Sequence, residues 1–405
     1  VPQTNWQETL NSCFKKSFTQ QEPLPEAALE SAIKVLRHGR LHRYNVTGNE
    51  DSETSLLEKE FADFMEVKYC LSVASGGYAL ACALRAAGVE PNDPVLTNAF
   101  TLAPVPGAIA SLGAKPVLVE ITKELVIDFD DLNKKIDESN SRFLLISHMR
   151  GHICDMDELA LLCNKRKVLL IEDCAHTMGG AWNGTNSGLH GLVGCYSTQT
   201  YKHLNSGEGG LLVSNDPDLM SRAIILSGSY MHYDRHIARP ETRDFRESKY
   251  YSPNCSGRMD NLRAAILRPQ LRELSIKCRE WNKRYGVIES IVGKSNRIGL
   301  IQRPSKEGYV GSSIQFYLDG ISGQGITKFV DKCKKRGIEL KWFGDKEPHG
   351  YTSRFDSWKY IAPQDCPNTK TILSTLLDMR IPLSFTLADC EIIASIIVEE
   401  TGELD

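Results

Sequence analysis

Residues 143–176 read FLLISHMRGHICDMDELALLCNKRKVLLIEDCAH. Two short apolar runs, Phe143–Ile146 and Val168–Ile171, flank a segment with helical spacing. That segment opens on Asp155-x-x-Glu158, a capping-box pattern that satisfies free amides of a first helical turn. It continues with Leu159, Leu162 and Cys163 on one face. Short unbroken apolar runs fit strands buried on both faces. A helix between two of them predicts a parallel pair joined by a crossover.

The same rhythm extends in both directions. Upstream, Leu57, Phe61 and Phe64 recur at helical spacing, and the run Tyr69–Ala74 ends in Ser75-Gly76-Gly77 before a helical stretch, Tyr78–Ala87. Further runs stand at Val95–Phe100, Val117–Ile121, Tyr196-Ser197 and Gly210–Val213. About seven strands therefore fit between residues 69 and 214, which predicts an α/β fold with a mainly parallel seven-stranded sheet. A long helical stretch, Arg258 to about Ile288, leads away from it. Beyond lie strand-like Ile314–Leu318 and Ile338–Trp342, helix-like Gly325–Arg336, and Thr386-x-x-Asp389 opening an amphipathic helix with Ile392, Ile393, Ile396 and Ile397. The expected organisation is an N-terminal arm (1–50, with one helix at Glu26–Arg37), a large domain (51–280) and a smaller α+β domain (281–405).

Composition narrows the function. Among 405 residues, 48 basic and 51 acidic side chains give a net charge of −3, so no basic excess exists to neutralise a nucleic-acid backbone. No apolar stretch reaches the roughly 18 residues of a membrane span. The start, Val1 to Trp6, lacks the charged-then-apolar layout of a secretory signal. Twelve cysteines are scattered with no CxxC pair, which predicts free thiols and a cytoplasmic location. His148…His152 and His232…His236 have i,i+4 spacing, but the first lies at a strand end and no HExxH accompanies either, so no metal site is expected.

Ligands of parallel sheets bind beyond the carboxyl ends of the strands. Four features stand there. Ser75-Gly76-Gly77 joins a strand to a helix, where small residues and free amides suit an anion such as phosphate. Asp173 ends a strongly apolar strand, where a carboxylate is expensive unless something positive meets it. Lys202 follows the next strand, 29 residues later, five places after Ser197. A desolvated lysine loses its proton readily and attacks carbonyls. Gly207-Glu-Gly-Gly210 precedes the last strand. An amine nucleophile, a carboxylate and a phosphate-ready turn together suit pyridoxal 5'-phosphate. The lysine holds its aldehyde, the acid keeps the ring nitrogen protonated, and the turn with Ser197 holds the phosphate.

These residues resemble the DegT/DnrJ/StrS sugar aminotransferases of fold type I. The likeness runs from about Arg43 to Leu271. It rests on Ser75-Gly-Gly-Tyr-Ala-Leu, Gly113-Ala-Lys-Pro-Val-Leu-Val-Glu120, Glu172-Asp-Cys-Ala-His-Thr-Met-Gly179, Ser197-x4-Lys202 with Gly207-Glu-Gly-Gly210, and Gly257-Arg-Met. The resemblance implies a pyridoxal phosphate enzyme that moves an amino group from glutamate or glutamine to a keto-sugar. It also implies a homodimer with the active site at the subunit interface. It makes Lys202 the Schiff-base lysine and Asp173 the pyridinium partner. His176 sits near the ring hydroxyl, and Ser75, Gly76, Gly77 and Ser197 are phosphate contacts. Three positions depart from the pattern. Gly77 replaces a Thr. Leu102 stands after Thr101 where an aromatic covers the ring. Ser256 stands where an Asn reaches the neighbour's phosphate, with Asn254 as the candidate to take its place. His148, Arg43 and Tyr44 are candidate substrate contacts. Dehydratase relatives carry His in place of the lysine, so Lys202 favours transamination. The competing readings are a pyridoxal phosphate enzyme of another reaction type, a dehydratase or one with an amino-acid-like substrate, and a non-catalytic regulatory relative; the pair Asp173–Lys202 stands against the last.

Overall fold

The computed structural model describes residues 13–347 and 354–402. The central unit forms as its sequence predicts. Phe143–Ser147 and Leu169–Asp173 pair in parallel, Phe143 opposite Leu169 and Ser147 opposite Asp173. Between them lies the helix Met156–Arg166, capped by Asp155, whose carboxylate accepts the Glu158 amide at 3.0 Å.

In chain order, α1 (Glu26–His38) and α2 (Glu53–Met65) lead into β1 (Tyr69–Val73), α3 (Gly76–Ala86), β2 (Pro94–Asn98), α4 (Pro104–Ser111) and β3 (Lys115–Val119). Next come α5 (Phe129–Ser139), β4 (Phe143–Ser147), α6 (Met156–Arg166), β5 (Leu169–Asp173) and a short hairpin, β6 (Ala181–Trp182) and β7 (Thr185–Asn186). Then follow β8 (Val193–Ser197), β9 (Gly210–Ser214), α7 (Pro217–Leu226), α8 (Phe245–Tyr251) and α9 (Asn261–Val292). The remainder is β10 (Ile298–Leu300), β11 (Glu307–Gly308), β12 (Ser313–Leu318), α10 (Gly323–Lys335), β13 (Lys341–Trp342), α11 (Pro367–Leu373), β14 (Leu376–Arg380) and α12 (Leu387–Gly402).

The main sheet has the order β1-β9-β8-β5-β4-β2-β3, with β9 antiparallel to both neighbours and the other pairings parallel. Helices cover both faces, so its strands are buried almost throughout, β4 and β8 at every residue. Leu71, Leu145, Ile171 and Leu212 pack under α3 and α7, and Leu96, Leu144, Ile146 and Leu170 pack on the other face with α5 and α6. The carboxyl ends of β2, β4, β5 and β8 therefore point the same way.

The second sheet, β10-β12-β14-β13, is antiparallel and buries one face against α10, α12 and the far end of α9. Thr386 and Asp389 cap α12 reciprocally, as the sequence predicts. Two features of this part were not visible in the pattern. Phe14 and Phe18, from the polar N-terminal stretch, are buried here, each ring 5.0 Å from Phe385. Strand β14 was unmarked because Asp378 and Arg380 interrupt its apolar residues. The predicted strand Ile338–Trp342 shrinks to two residues. Strand β11 reaches back to pair with β6, tying the two parts together.

Candidate active site

The site forms where the strand ends meet. Asp173 is the last residue of β5, and strand alternation turns it to the opposite face from Glu172. Its Oδ2 accepts from Ser147 Oγ at 2.9 Å and its Oδ1 from the Ala175 amide at 3.1 Å. The Ser147 amide donates to Asn98 Oδ1 at 2.8 Å, and the Asn98 amide group donates to the Phe100 and Ser147 carbonyls. Asn98, Ser147 and Asp173 thus form one brace across the ends of β2, β4 and β5. Sequence reading missed its first two members, because small polar residues at strand ends carry no distinctive pattern.

Lys202 lies on the loop after β8. The loop folds on the glycine run: Thr198 and Thr200 amides donate to the Gly209 and Gly207 carbonyls, and the Lys202 amide to Gln199. Gly209 has φ +154, and a Cβ there would lie 2.2 Å from Thr198 Oγ1. The glycines are therefore needed to close the loop that carries the lysine. Burial pushes the Lys202 amine down to about 7. Asp173 opposes that shift, while Arg150 and Arg380 add to it. The deprotonated amine grows with pH, so limited acetylation of Lys202 is expected to rise up to about pH 7 and level off above it. Peptide mass mapping reads the profile; a curve that keeps climbing as for surface lysines would contradict it.

His176 stands beside Lys202, lining the same cavity. Its Nδ1 accepts from the Arg150 amide at 2.9 Å. Burial, then the charges of Lys202 and Arg150, hold the ring well below its ordinary range, so it is neutral. A neutral ring that accepts at Nδ1 carries its proton on Nε2 and donates from there. Arg150 adopts a left-handed backbone, φ +57, in the turn that aims this amide.

The phosphate-ready turn meets Ser197. A Cβ on Gly76 would lie 2.7 Å from Ser197 Cβ, and one on Gly210 would lie 2.4 Å from the Ser75 carbonyl. Three chain segments thus close on a cradle that side chains would fill. Ser75 Oγ caps α3 by accepting the Tyr78 amide at 3.1 Å. Gly76 and Gly77 open the helix, where amides have no intrahelical acceptor. A Cβ on Gly77 would meet Pro104 at an ordinary 3.8 Å, so this position has room for a larger residue.

Other candidates lie elsewhere within the chain. Leu102 is half-buried at the edge of an apolar cluster, and Phe100 is fully buried, its ring 5.0 Å from Phe343. Asn254 is exposed and accepts from the Ser256 amide at 3.1 Å. Arg43 and Tyr44 belong to a separate buried cluster. Arg43 Nη2 donates to both oxygens of Glu58 at 2.8 and 2.9 Å, and Tyr44 Oη lies 2.8 Å from His236 Nε2. Burial works to raise Glu58, and Arg43 and His236 outweigh it, holding it at about 2.

His148 turns away from Asp173, its Nε2 3.2 Å from Glu172 Oε2. His152 instead meets Gln315 Oε1 at 2.8 Å, so the two histidines do not converge. His148, Glu172 and Cys174 come within 4.8 Å of one another. The Glu172 oxygens already accept three backbone amides there, and burial holds the Cys174 thiol protonated. All twelve cysteines are free and ten are buried.

The chain is 36% identical over 171 residues to GDP-perosamine synthase of Vibrio cholerae, covering 42% of this chain and 46% of that one. It is 33% identical over 240 residues to UDP-2-acetamido-2-deoxy-3-oxo-D-glucuronate aminotransferase of Pseudomonas aeruginosa, covering 59% and 61%. The match thus spans about half the length of these curated relatives. The fold matches the crystal structure of the aminotransferase TlmJ from Streptoalloteichus hindustanus with a TM-score of 0.81 at 21% identity, over 94% of this chain and 98% of that one. Residues 26–398 match one family model, and the chain belongs to the DegT/DnrJ/EryC1/StrS aminotransferase family, whose cofactor is pyridoxal 5'-phosphate.

Proposed function

We propose that the chain is an aminotransferase that takes an amino group from glutamate or glutamine and delivers it to a keto-sugar or related polar carbonyl compound. The observation that carries this reading is an amine of pKa about 7, Lys202, set opposite Asp173 beside a glycine-lined anion cradle. These residues fit pyridoxal phosphate. The cradle at Gly76 and Ser197 is open only because Cβ atoms are absent, and helix α3 directs its first amides toward it. When bound, the cofactor supplies a ring that accepts electrons from the substrate carbon next to the amine.

The chain's own residues do the rest. Asp173, fixed by Ser147 and the Ala175 amide, holds a compensating negative charge where a ring nitrogen must stay protonated. His176 Nε2 presents a hydrogen to an oxygen anion. Ser197 Oγ and the Gly76 and Gly77 amides hold the phosphate. Lys202 Nζ, poised near neutrality, takes a proton from one carbon and returns it to another; a base works best with its pKa near the working pH. Donor and acceptor use the same lysine in turn.

The same reading makes the chain a cytoplasmic homodimer, Asn254 reaching its partner's phosphate. Tyr230, Met231, Tyr250 and Tyr251 support it, being more than half exposed near Asn254, a large apolar exposure for a lone chain. The unpaired buried thiols support a reducing compartment, and among the described residues no helix is long and apolar enough to cross a membrane. The cofactor-loaded protein is expected to lose its visible colour on adding L-glutamate or L-glutamine and to regain it with the matching keto acid. Colour that no amino acid discharges would overturn the reading.

A further inference from the structure

Helix α3 begins with two glycines, and Tyr78 is its first residue with a side chain. Glycine keeps more backbone freedom than any other residue, so Gly76 and Gly77 do not by themselves hold their amides toward the cradle. Tyr78 is bound at two points. Its amide donates to Ser75 Oγ, and its Oη donates to the Leu226 carbonyl at 3.0 Å. Leu226 ends α7, and the same carbonyl accepts the Cys255 amide at 2.9 Å. One oxygen thus joins the first turn of α3, the end of α7 and the loop that leads into α9.

That loop closes over the Tyr78 ring. Pro253 to Ser256 are exposed, and Gly257 is buried. A Cβ on Gly257 would stand closer than 3.0 Å to Cζ and to both Cε atoms of the ring, nearer than real Cβ atoms approach. The Gly257 backbone lies outside the left-handed region, so its torsion does not demand glycine; the ring does. The Gly257 carbonyl accepts the Ala74 amide at 2.8 Å, one residue before Ser75. Arg258 fixes the loop on the other side, pairing with Val73 and donating from Nη1 to the Gly228 carbonyl at 2.8 Å. Burial raises the Tyr78 phenol well above its ordinary value, so Oη keeps its proton and stays a donor.

We propose that Tyr78 is the positioning residue of the phosphate cradle and that Gly257 is the space it requires. The ring seated under Gly257 and the Oη bond to Leu226 fix the first turn of α3, so that the Gly76 and Gly77 amides converge on one anion. Tyr78 acts through those amides. The inference rests on the proposed reading of the cradle as the cofactor's phosphate site.

Tyr78→Ala, Tyr78→Phe, Gly257→Ala and the double variant Tyr78→Ala/Gly257→Ala test it in the full chain. Calorimetry with inorganic phosphate on cofactor-free protein reads the cradle alone. Absorbance titration compares pyridoxal phosphate with pyridoxal, which lacks the phosphate. Tyr78→Ala is expected to weaken inorganic phosphate and pyridoxal phosphate by about 10- to 100-fold and to leave pyridoxal within about twofold. Tyr78→Phe keeps the ring and loses one hydrogen bond, so it should lose no more than about 10-fold. Gly257→Ala should displace the ring and weaken phosphate by itself, yet add nothing once Tyr78→Ala has removed the ring. A folded Tyr78→Ala protein that binds phosphate within about twofold of wild type, or that loses pyridoxal as much as pyridoxal phosphate, would overturn the positioning role. Losses that simply add in the double variant would overturn the pairing with Gly257. Should Tyr78→Ala not fold, Tyr78→Phe and Gly257→Ala carry the same comparison. A wild-type protein that binds inorganic phosphate but never pyridoxal phosphate would sink the aminotransferase reading alone, and the phosphate titrations would still judge Tyr78. A wild-type protein that binds neither would overturn both.

Discussion

Lys202→Ala is expected to abolish turnover, lowering kcat by at least about 10²–10⁴-fold, the range that a positioned acid–base group supplies. The variant loses both proposed roles of the amine, because burial gives Lys202 Nζ a pKa of about 7 beside Asp173 and His176. Lys202→Arg should fail as badly, since a guanidinium keeps its proton throughout the physiological range. The phosphate cradle and Asp173 stay intact in both, so both should still bind pyridoxal phosphate, though without a covalent link. Steady-state kinetics with glutamate, alongside dialysis against cofactor-free buffer, separates the two losses. Near-normal kcat in Lys202→Ala would remove the lysine from the mechanism.

The second large effect falls on stability. Glu172 is completely buried beneath the site, accepting the Gly188 amide at 2.9 Å and the His190 and Gly191 amides at 2.8 Å each. Burial works to raise its pKa. Its bond with His148 and the nearby His190 ring, 3.7 Å away, outweigh that, holding it well below the carboxylate range. Glu172→Ala would leave three backbone donors, one buried and two part-buried, and His148 without their acceptor. Removing one member of such a buried charged cluster costs about 3–5 kcal/mol. We expect a clearly lower urea midpoint and impaired cofactor uptake, since Glu172 precedes Asp173 on the same strand. Glu172→Gln keeps one oxygen and should lie between. A Glu172→Ala midpoint equal to wild type would show that the cluster contributes little.

Much of this was legible in the residues. Short, mainly apolar runs marked the strands of the main sheet, β8 by its last two residues alone, because burial on both faces leaves little polar alternation to confuse them. Asp173, Ser197 and Lys202 stood out because ligands of parallel sheets bind at strand ends, and the structure brings Asp173 close enough to Lys202 to oppose the downward shift of its amine. What escaped depended on contacts distant in sequence. Strand β14 hid because Asp378 and Arg380 broke its apolar run, and they break it because they face the site instead of the core. The brace of Asn98 and Ser147 and the turn of Arg150 carry no spacing signal. Arg43 looked like a substrate contact because a charge near a domain entrance resembles one. Its partner Glu58 lies 15 residues on, across a packing contact that no local pattern announces.

Borohydride reduction of the protein saturated with pyridoxal phosphate, followed by peptide mass mapping, tests the central claim most directly. Lys341 makes the measurement discriminating, because it too is lowered to about 7 and lies near Arg150. The account predicts a reduced pyridoxyl group on the peptide carrying Lys202, with the Lys341 peptide unchanged. A folded, cofactor-saturated protein whose Lys202 peptide keeps its native mass, or whose label sits on Lys341, would contradict it.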